Sequence, residues 1–292
     1  MSPNNILIKA GRKLKNRCLF IGRNYYTTQG EKVKSNQVNL EWVSNGNLGD
    51  ELAPVIYDWM LEKKGIDKDT RISKTIHLMS VGSMVGSWEF DSVIWGSGIH
   101  IFSNINKLVA LKNIQKLDIR AVRGPITRNA LESCGYVCPE TYGDPAVLMP
   151  LIYMPDKHDE KQKISVVLHY RSNIKLDNVI KNNPLIQPLN IATTDYMSYI
   201  QRMLSSKKVI SSSLHGIILA ESYGIPAVFL NTGGYVENAF LKYYDWYYAT
   251  GRYSVKVARS LEEAINMSPM PLPDLGAMQE NLLRSFPYDL WL

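Results

Sequence analysis

The sequence predicts an α/β protein built from two Rossmann-like domains facing each other across a cleft. Two observations carry that expectation. From about residue 38 onward, short apolar runs alternate with amphipathic stretches, as strands and helices do in a parallel sheet covered on both faces. The alternation breaks at a polar, Pro-containing segment, LIYMPDKHDEKQK (151–163), and then restarts. At 292 residues the chain has the length for two such units and a substantial core.

In order along the chain, residues 1–37 form an extension that precedes or packs on the first domain. The basic opening MSPNNILIKAGRKLKNRCLFIG lacks the continuous apolar core and small-residue cleavage site of a signal peptide. The first domain, 38–152, starts with a strand over 39–43, the loop SNGNLGDEL and a helix over 51–64. Further strands follow at 75–81, 92–95 and 116–122. Gly124 and Pro125 open a helix carrying Ile126, Ala130 and Leu131 on one side and ending at Gly135. A linker spans 153–163. The second domain, 164–272, holds strands at 164–169, 208–210 and 226–230, and helices at 195–204 and 214–223, the last ended by Gly224. Residues 273–292 read as a C-terminal helix that crosses back to the first domain.

Composition narrows the function classes. Apolar residues are 45% of the chain. Runs such as 227–230 fall far short of the ~20 residues a membrane span needs. Net charge is +6, from 33 basic and 27 acidic residues. The one dense basic stretch is KAGRKLKNR (9–17), too little for a nucleic-acid footprint. A diffuse positive field suits anionic small molecules, or peripheral contact with an anionic membrane. Cys18, Cys134 and Cys138 are odd in number, so no disulfide framework is expected, and their spacing makes no zinc site. The expectation is a cytoplasmic protein with reduced thiols and no metal.

In open α/β sheets, ligands bind beyond the carboxyl ends of the strands, and four loops there carry the chemistry. In SNGNLGDEL, the glycines let backbone amides approach a ligand, and Asp50 and Glu51 suit the helix N-terminus. Those carboxylates would repel an anion, so a hydroxyl-bearing ligand fits better; a tight turn with a cap is the alternative. In WGSGIH (95–100), Gly96 and Gly98 suggest close backbone contact, with His100 equally suited to a structural role. In AVRGPITRNALESCG (121–135), Arg123 ends a strand directly before a Gly-Pro helix start, where a guanidinium can hold a carboxylate or phosphate. Alternatively it pairs with Asp144. In SSSLHGIILAESYGIP (211–226), Ser212 and Ser213 reach the end of a buried strand and can cap the next helix. His215 then lies in that helix's first turn, placed to exchange protons near neutral pH, with a core histidine as the alternative. Nothing here forms a G-x-S-x-G nucleophile or an H-E-x-x-H metal site.

Together these stretches resemble the polysaccharide pyruvyl transferase family, and most of all its bacterial exopolysaccharide and capsule branch. NGNLGDEL resembles the family's N-x-GDEL opening, and VIWGSGI its glycine-rich strand end. AVRGPITRNALESCG and YGDPAVLMP resemble the R-G-P-x-T and G-D-P-A-x-L-x-P signatures, and ISVVLHYRS an I-P-H-Y segment. VISSSLHGIILAESYGIPAVFL resembles the most diagnostic block, while FLKYYDWYYATGR and LLRSFPYDL resemble the C-terminal segments. The match runs in order over roughly residues 38–290.

The resemblance implies a GT-B-like pair of domains. It also implies phosphoenolpyruvate as donor, no cofactor, and a sugar or lipid-linked oligosaccharide acceptor at the inner face of the cytoplasmic membrane. Two hydroxyls of a hexose would receive the pyruvyl group as a ketal. His215 and Arg123 are the implied catalytic residues. Expected around the donor are Ser212, Ser213, Leu214, Gly216, Arg128, His169, Arg171, Gly96, Ser97 and Gly98. Asn47, Asp50, Tyr244 and Asp245 are expected at the acceptor. Many relatives carry Arg where this chain has Ser213, and Lys207, Lys208, Arg171 or Arg128 can supply the cation. Replacing His215 or Arg123 by Ala is expected to abolish transfer with little effect on unfolding. The rival readings are a glycosyltransferase of similar architecture using a nucleotide sugar, and a non-catalytic binding protein of a polysaccharide pathway.

Overall fold

The computed structural model describes residues 27–156, 162–172, 174, 176 and 183–292; the basic stretch 9–17, Cys18 and part of the 153–163 segment lie outside them. Two parallel sheets organise the rest. The first runs β1 (Val38–Glu41), β2 (Ile76–Met79), β3 (Ser92–Trp95) and β4 (Leu117–Ala121), side by side in chain order. The second has the order β6-β5-β7-β8-β9, with β5 (Lys163–Val167), β6 (Ile186–Pro188), β7 (Ser206–Ser211), β8 (Ala227–Leu230) and β9 (Val257–Ala258). Every strand pair is parallel. β2, β3 and β8 are buried along their whole length, as parallel strands covered on both faces must be.

Ten α-helices fill the described connections. They are α1 (Leu48–Glu62), α2 (Ser103–Leu111), α3 (Pro125–Ser133), α4 (Met149–Ile152), α5 (Tyr196–Leu204), α6 (Leu214–Ser222), α7 (Gly234–Asn238), α8 (Phe240–Ala249), α9 (Leu261–Asn266) and α10 (Gly276–Ser285). None is long and apolar enough to cross a membrane. The expected strand at 92–95 lies where periodicity placed it, and the others agree to within two residues at each end. β7 is longer than expected because its polar ends are satisfied inside the sheet. Ser206 shares a 2.5 Å hydrogen bond with Ser165, and Ser211 Oγ donates to the Val167 carbonyl. Helix α1 begins earlier than expected because Asn47, and not Asp50 or Glu51, caps it, its side chain accepting from Gly49 N.

Two features position the site. The second sheet changes direction between β5 and β7: the chain leaves β5 to form β6 on one side and returns to form β7 on the other. That switch point opens a crevice at the carboxyl ends of β5 and β7. The largest apolar cluster is also continuous between the sheets, joining Leu48, Leu52 and Trp95 to Ile217, Phe229 and Tyr243. The C-terminal segment lies on the first sheet. Trp95 Nε1 donates to the Leu282 carbonyl, Tyr288 OH to the Met60 carbonyl, and Gln279 to the Val147 carbonyl.

Candidate functional site

The crevice deepens into a cavity of about 300 Å³ between the two sheets. Its walls come from the start of α1 (Asn45, Asn47, Asp50), the loop after β2 (Ser83, Met84) and the loop after β3 (His100). The second half of the chain adds His169 and Arg171 after β5, Ser213–His215 after β7, Tyr235 of α7 and Lys242 of α8.

His215 stands in the first turn of α6, 6% exposed. Its Nε2 faces the buried carboxylate of Asp144 at 3.5 Å, and neither Nε2 nor Asp144 Oδ2 has a hydrogen-bond partner among the described residues. The other oxygen of Asp144 accepts from Ala146 N at 3.1 Å, capping the 3-10 turn Pro145–Leu148. One carboxylate therefore closes the G-D-P-A turn and faces the imidazole across from it. The opposite edge of the ring lies against Gly49: a Cβ added there would come 1.8 Å from His215 Nδ1.

That contact revises the reading of the glycine loops, which make room for the protein's own side chains. A Cβ at Gly98 would lie 2.4 Å from the Arg123 guanidinium, and one at Gly124 2.1 Å from the backbone of Asp245. Gly96, with φ of +86°, meets Pro145, and Gly216 meets Ser211 Oγ. None of these four glycines lines the cavity.

Arg123 is fully buried behind the cavity wall. Its Nε lies 3.2 Å from Asp245 Oδ2, Nη1 donates to Ser83 Oγ and Nη2 to the Ile99 carbonyl. Its carboxylate partner is Asp245, not Asp144. Asp245, expected at the acceptor, is itself wholly buried and also accepts from Thr127 N and Thr127 Oγ1. Burial pushes its carboxyl up against the opposing pull of Arg123. Both are committed to joining the first sheet to α8.

Four of the expected donor residues, Ser213, Leu214, His169 and Arg171, line the cavity. The other six do not. Ser212 Oγ accepts from His169 N, and Ser97 Oγ donates to the Gly82 carbonyl, so both tie loops together. Neither Ser212 nor Ser213 caps α6 with its side chain; Ser211 Oγ closes that turn by accepting from Ser213 N. Arg128 points away, pairing with Glu132 and Glu140. Of the other candidate cations, Lys208 donates to three carbonyls at the end of α9 and Lys207 is exposed at the amino half of β7.

Asn47 and Asp50 reach the cavity. Burial pushes the Asp50 carboxyl up, opposed by the charges of His215 and Lys242. Tyr244 lines a second cavity, of about 740 Å³, with Phe102, Phe240 and Tyr248.

Sequence reasoning passed over three residues. Lys242 lies on the cavity wall with its side chain almost wholly buried, inside the aromatic run FLKYYDWYY; a single basic residue within such a run was the available signal. Tyr235 donates or accepts at His100 Nε2 (2.7 Å) and lies against the His169 ring at 4.5 Å. Asp144 was seen only as a partner for Arg123. Burial, with Lys242 next among the causes, brings His100 down to about 4 and His169 down to about 3, so both are neutral at neutral pH.

Known proteins resemble this chain in sequence and in fold. A 28% identical, uncharacterised protein of Acanthamoeba polyphaga mimivirus aligns over 213 residues, 70% of this chain and 71% of that one. The fold resembles the crystal structure of a protein of uncharacterised function from Klebsiella pneumoniae, at TM-score 0.50 and 17% identity. That likeness covers 85% of this chain and 98% of the other. The model of the polysaccharide pyruvyl transferase family matches residues 47–234, a span from the cap of α1 through His215 to the start of α7. That span exceeds half of the chain and contains most of the cavity wall, and the protein is a member of the polysaccharide pyruvyl transferase family.

Proposed function

We propose that the chain transfers the pyruvyl group of phosphoenolpyruvate to two hydroxyls of a hexose in a polysaccharide precursor, forming a ketal and releasing phosphate. The observation that carries this reading is the imidazole of His215. It is held between Asp144 and Gly49 on the wall of a cavity that also takes the cationic side chains of Arg171 and Lys242.

The reaction moves two hydroxyl protons, one in effect to C3 and one to the departing phosphate. Protonation of C3 leaves an oxocarbenium-like centre at C2, and the first hydroxyl adds there as its proton is taken up. The C2–O bond to phosphate then breaks, the second hydroxyl closes the ring at the oxocarbenium-like centre this leaves, and its proton departs with the phosphate. His215 is the group suited to move these protons, a role typically worth ~10²–10⁴ in rate. Asp144 faces Nε2 at 3.5 Å and is placed to orient the ring once the ligand is bound, as a carboxylate orients histidine in hydrolase triads. Arg123 supports the site indirectly, holding Ser83 on the cavity wall.

The acceptor is proposed to approach over the second cavity. His100 and Phe102, two residues apart, line the first and second cavities respectively. The faces of Phe240, Tyr244 and Tyr248 offer the apolar surface with polar tips on which pyranose rings pack. Such an acceptor can be lipid-linked and met at the inner face of the cytoplasmic membrane.

The test is phosphate release from phosphoenolpyruvate across galactose-, glucose- and mannose-type acceptors, with mass analysis of the product. Phosphate release with a pyruvylated sugar supports the reading. Stabilisation by nucleotide sugars and not by phosphoenolpyruvate would overturn it in favour of a glycosyltransferase; donor binding without turnover would favour a binding protein.

A further inference from the structure

We infer that Lys242 is the ammonium that seats the anionic donor in the cavity, together with Arg171. This rests on the donor named above, and it stands on how the side chain is housed.

Lys242 lies in the first turn of α8, where the helix dipole disfavours a cation. Its side chain is 8% exposed and lines the cavity. Among the described residues its Nζ has no hydrogen-bond acceptor and no ion pair. Its charge lies near the rings of Tyr235 at 5.3 Å and Tyr243 at 5.2 Å, towards the outer limit of cation–π attraction, and is drawn by the Asp50 carboxylate without an ion pair forming. A lysine kept for packing would send its head to solvent or to a carboxylate. Here the three ammonium donors are left for something that enters the cavity, and a buried charge without a partner is costly until that something arrives.

The surroundings specify an anion. Arg171 also lies by the Tyr235 ring, at 4.6 Å, so two cations flank one aromatic side chain and repel each other. Tyr235 is fixed by its hydrogen bond to His100 and by the His169 ring. A carboxylate or phosphate bridging Arg171 and Lys242 relieves the repulsion and satisfies the ammonium.

The groups facing Lys242 come from every neighbouring element. They are Asp50 of α1, Arg123 at the end of β4, His100 after β3, His169 and Arg171 after β5, His215 of α6, Tyr235 of α7 and Tyr243 of its own helix. Burial first, then Arg123, brings its ammonium down to about 8, with Asp50 pulling the other way. Anion affinity should therefore decline above that pH, by about tenfold per unit for a single required proton.

The experiment measures affinity for phosphoenolpyruvate and for inorganic phosphate by calorimetry on the full chain, at pH 7 and pH 9, for wild type, Lys242→Met and Lys242→Arg. The expected result is binding by Lys242→Met weakened about 10- to 100-fold at pH 7, the size of a lost charged hydrogen bond. Wild-type affinity falls between pH 7 and 9, and Lys242→Arg binds at pH 7 without that alkaline fall. Equal binding by Lys242→Met, or wild-type affinity flat from pH 7 to 9, overturns the assignment while leaving turnover by the wild type intact. Wild-type protein that binds phosphate through Lys242 but not phosphoenolpyruvate keeps the anion seat and removes the donor. Binding of neither removes both. Should Lys242→Met fail to fold, the wild-type pH series and Lys242→Arg still decide.

Discussion

Gly49 is the residue on which the placing of His215 turns. Its missing side chain leaves the space that the imidazole occupies, so Gly49→Ala must displace the ring from its position facing Asp144. Misplacement by about 1 Å costs on the order of 10²-fold in rate. The expected outcome is a comparable fall in kcat with donor affinity nearly unchanged, read by steady-state kinetics beside calorimetry. Lys242 gives a second expectation at this scale. Its folded-state value of about 8 lies below the ordinary lysine range. Between that pH and about 10.4 the unfolded chain holds the proton and the folded chain does not. Stability should therefore rise with pH in that window, by about 3 kcal/mol in total. Lys242→Met should lose this rise, which chemical unfolding at pH 7.5 and 10 will show.

The turn at Pro145–Leu148 does at element scale what Gly49 does for one residue. It packs against α1, α6 and α10, and its Asp144 cap serves structure with one oxygen and His215 with the other. Asp144→Asn keeps an acceptor for Ala146 N while removing the charge opposite the imidazole. Turnover should fall by about 10²–10⁴, the scale seen when an orienting carboxylate is neutralised. Asp144→Ala should in addition lose about 1 kcal/mol of stability with the cap. A pair of denaturation curves separates the two effects. The G-D-P-A text shows a cap before a Pro-started turn; that its second oxygen meets a residue 71 positions later depends on how α6 docks.

For the whole molecule, the buried set Arg123, Asp245 and Thr127 is the polar link between the first sheet and α8. Arg123→Ala would leave Asp245 charged or protonated in apolar surroundings. Breaking such a pair costs roughly 3–5 kcal/mol. A large drop in thermal midpoint is expected, contrary to the unchanged unfolding that the sequence suggested, whereas His215→Ala should unfold nearly as the wild type does. Acid acts on the molecule through His100 and His169, held down at about 4 and about 3. Below pH 6.5 the unfolded chain takes up protons that the folded one refuses, so stability should fall from pH 6.5 towards 4. His169→Gln should flatten that loss in an equilibrium unfolding series.

What the sequence determined by itself were the things written in local pattern. Alternating apolar runs specify parallel strands and their helices, the Gly-Pro pair specifies the start of α3, and the ordered motifs specify the family. They also place His215 at a strand-to-helix junction, because that depends on neighbours a few residues away. The tertiary structure alone decided which charges meet. Whether Arg123 faces Asp144 or Asp245, whether a glycine admits a ligand or an imidazole, and whether Lys242 reaches the cavity depend on elements over a hundred residues apart. Strand order and helix docking set those distances, and periodicity in one segment carries no information about its distant partner.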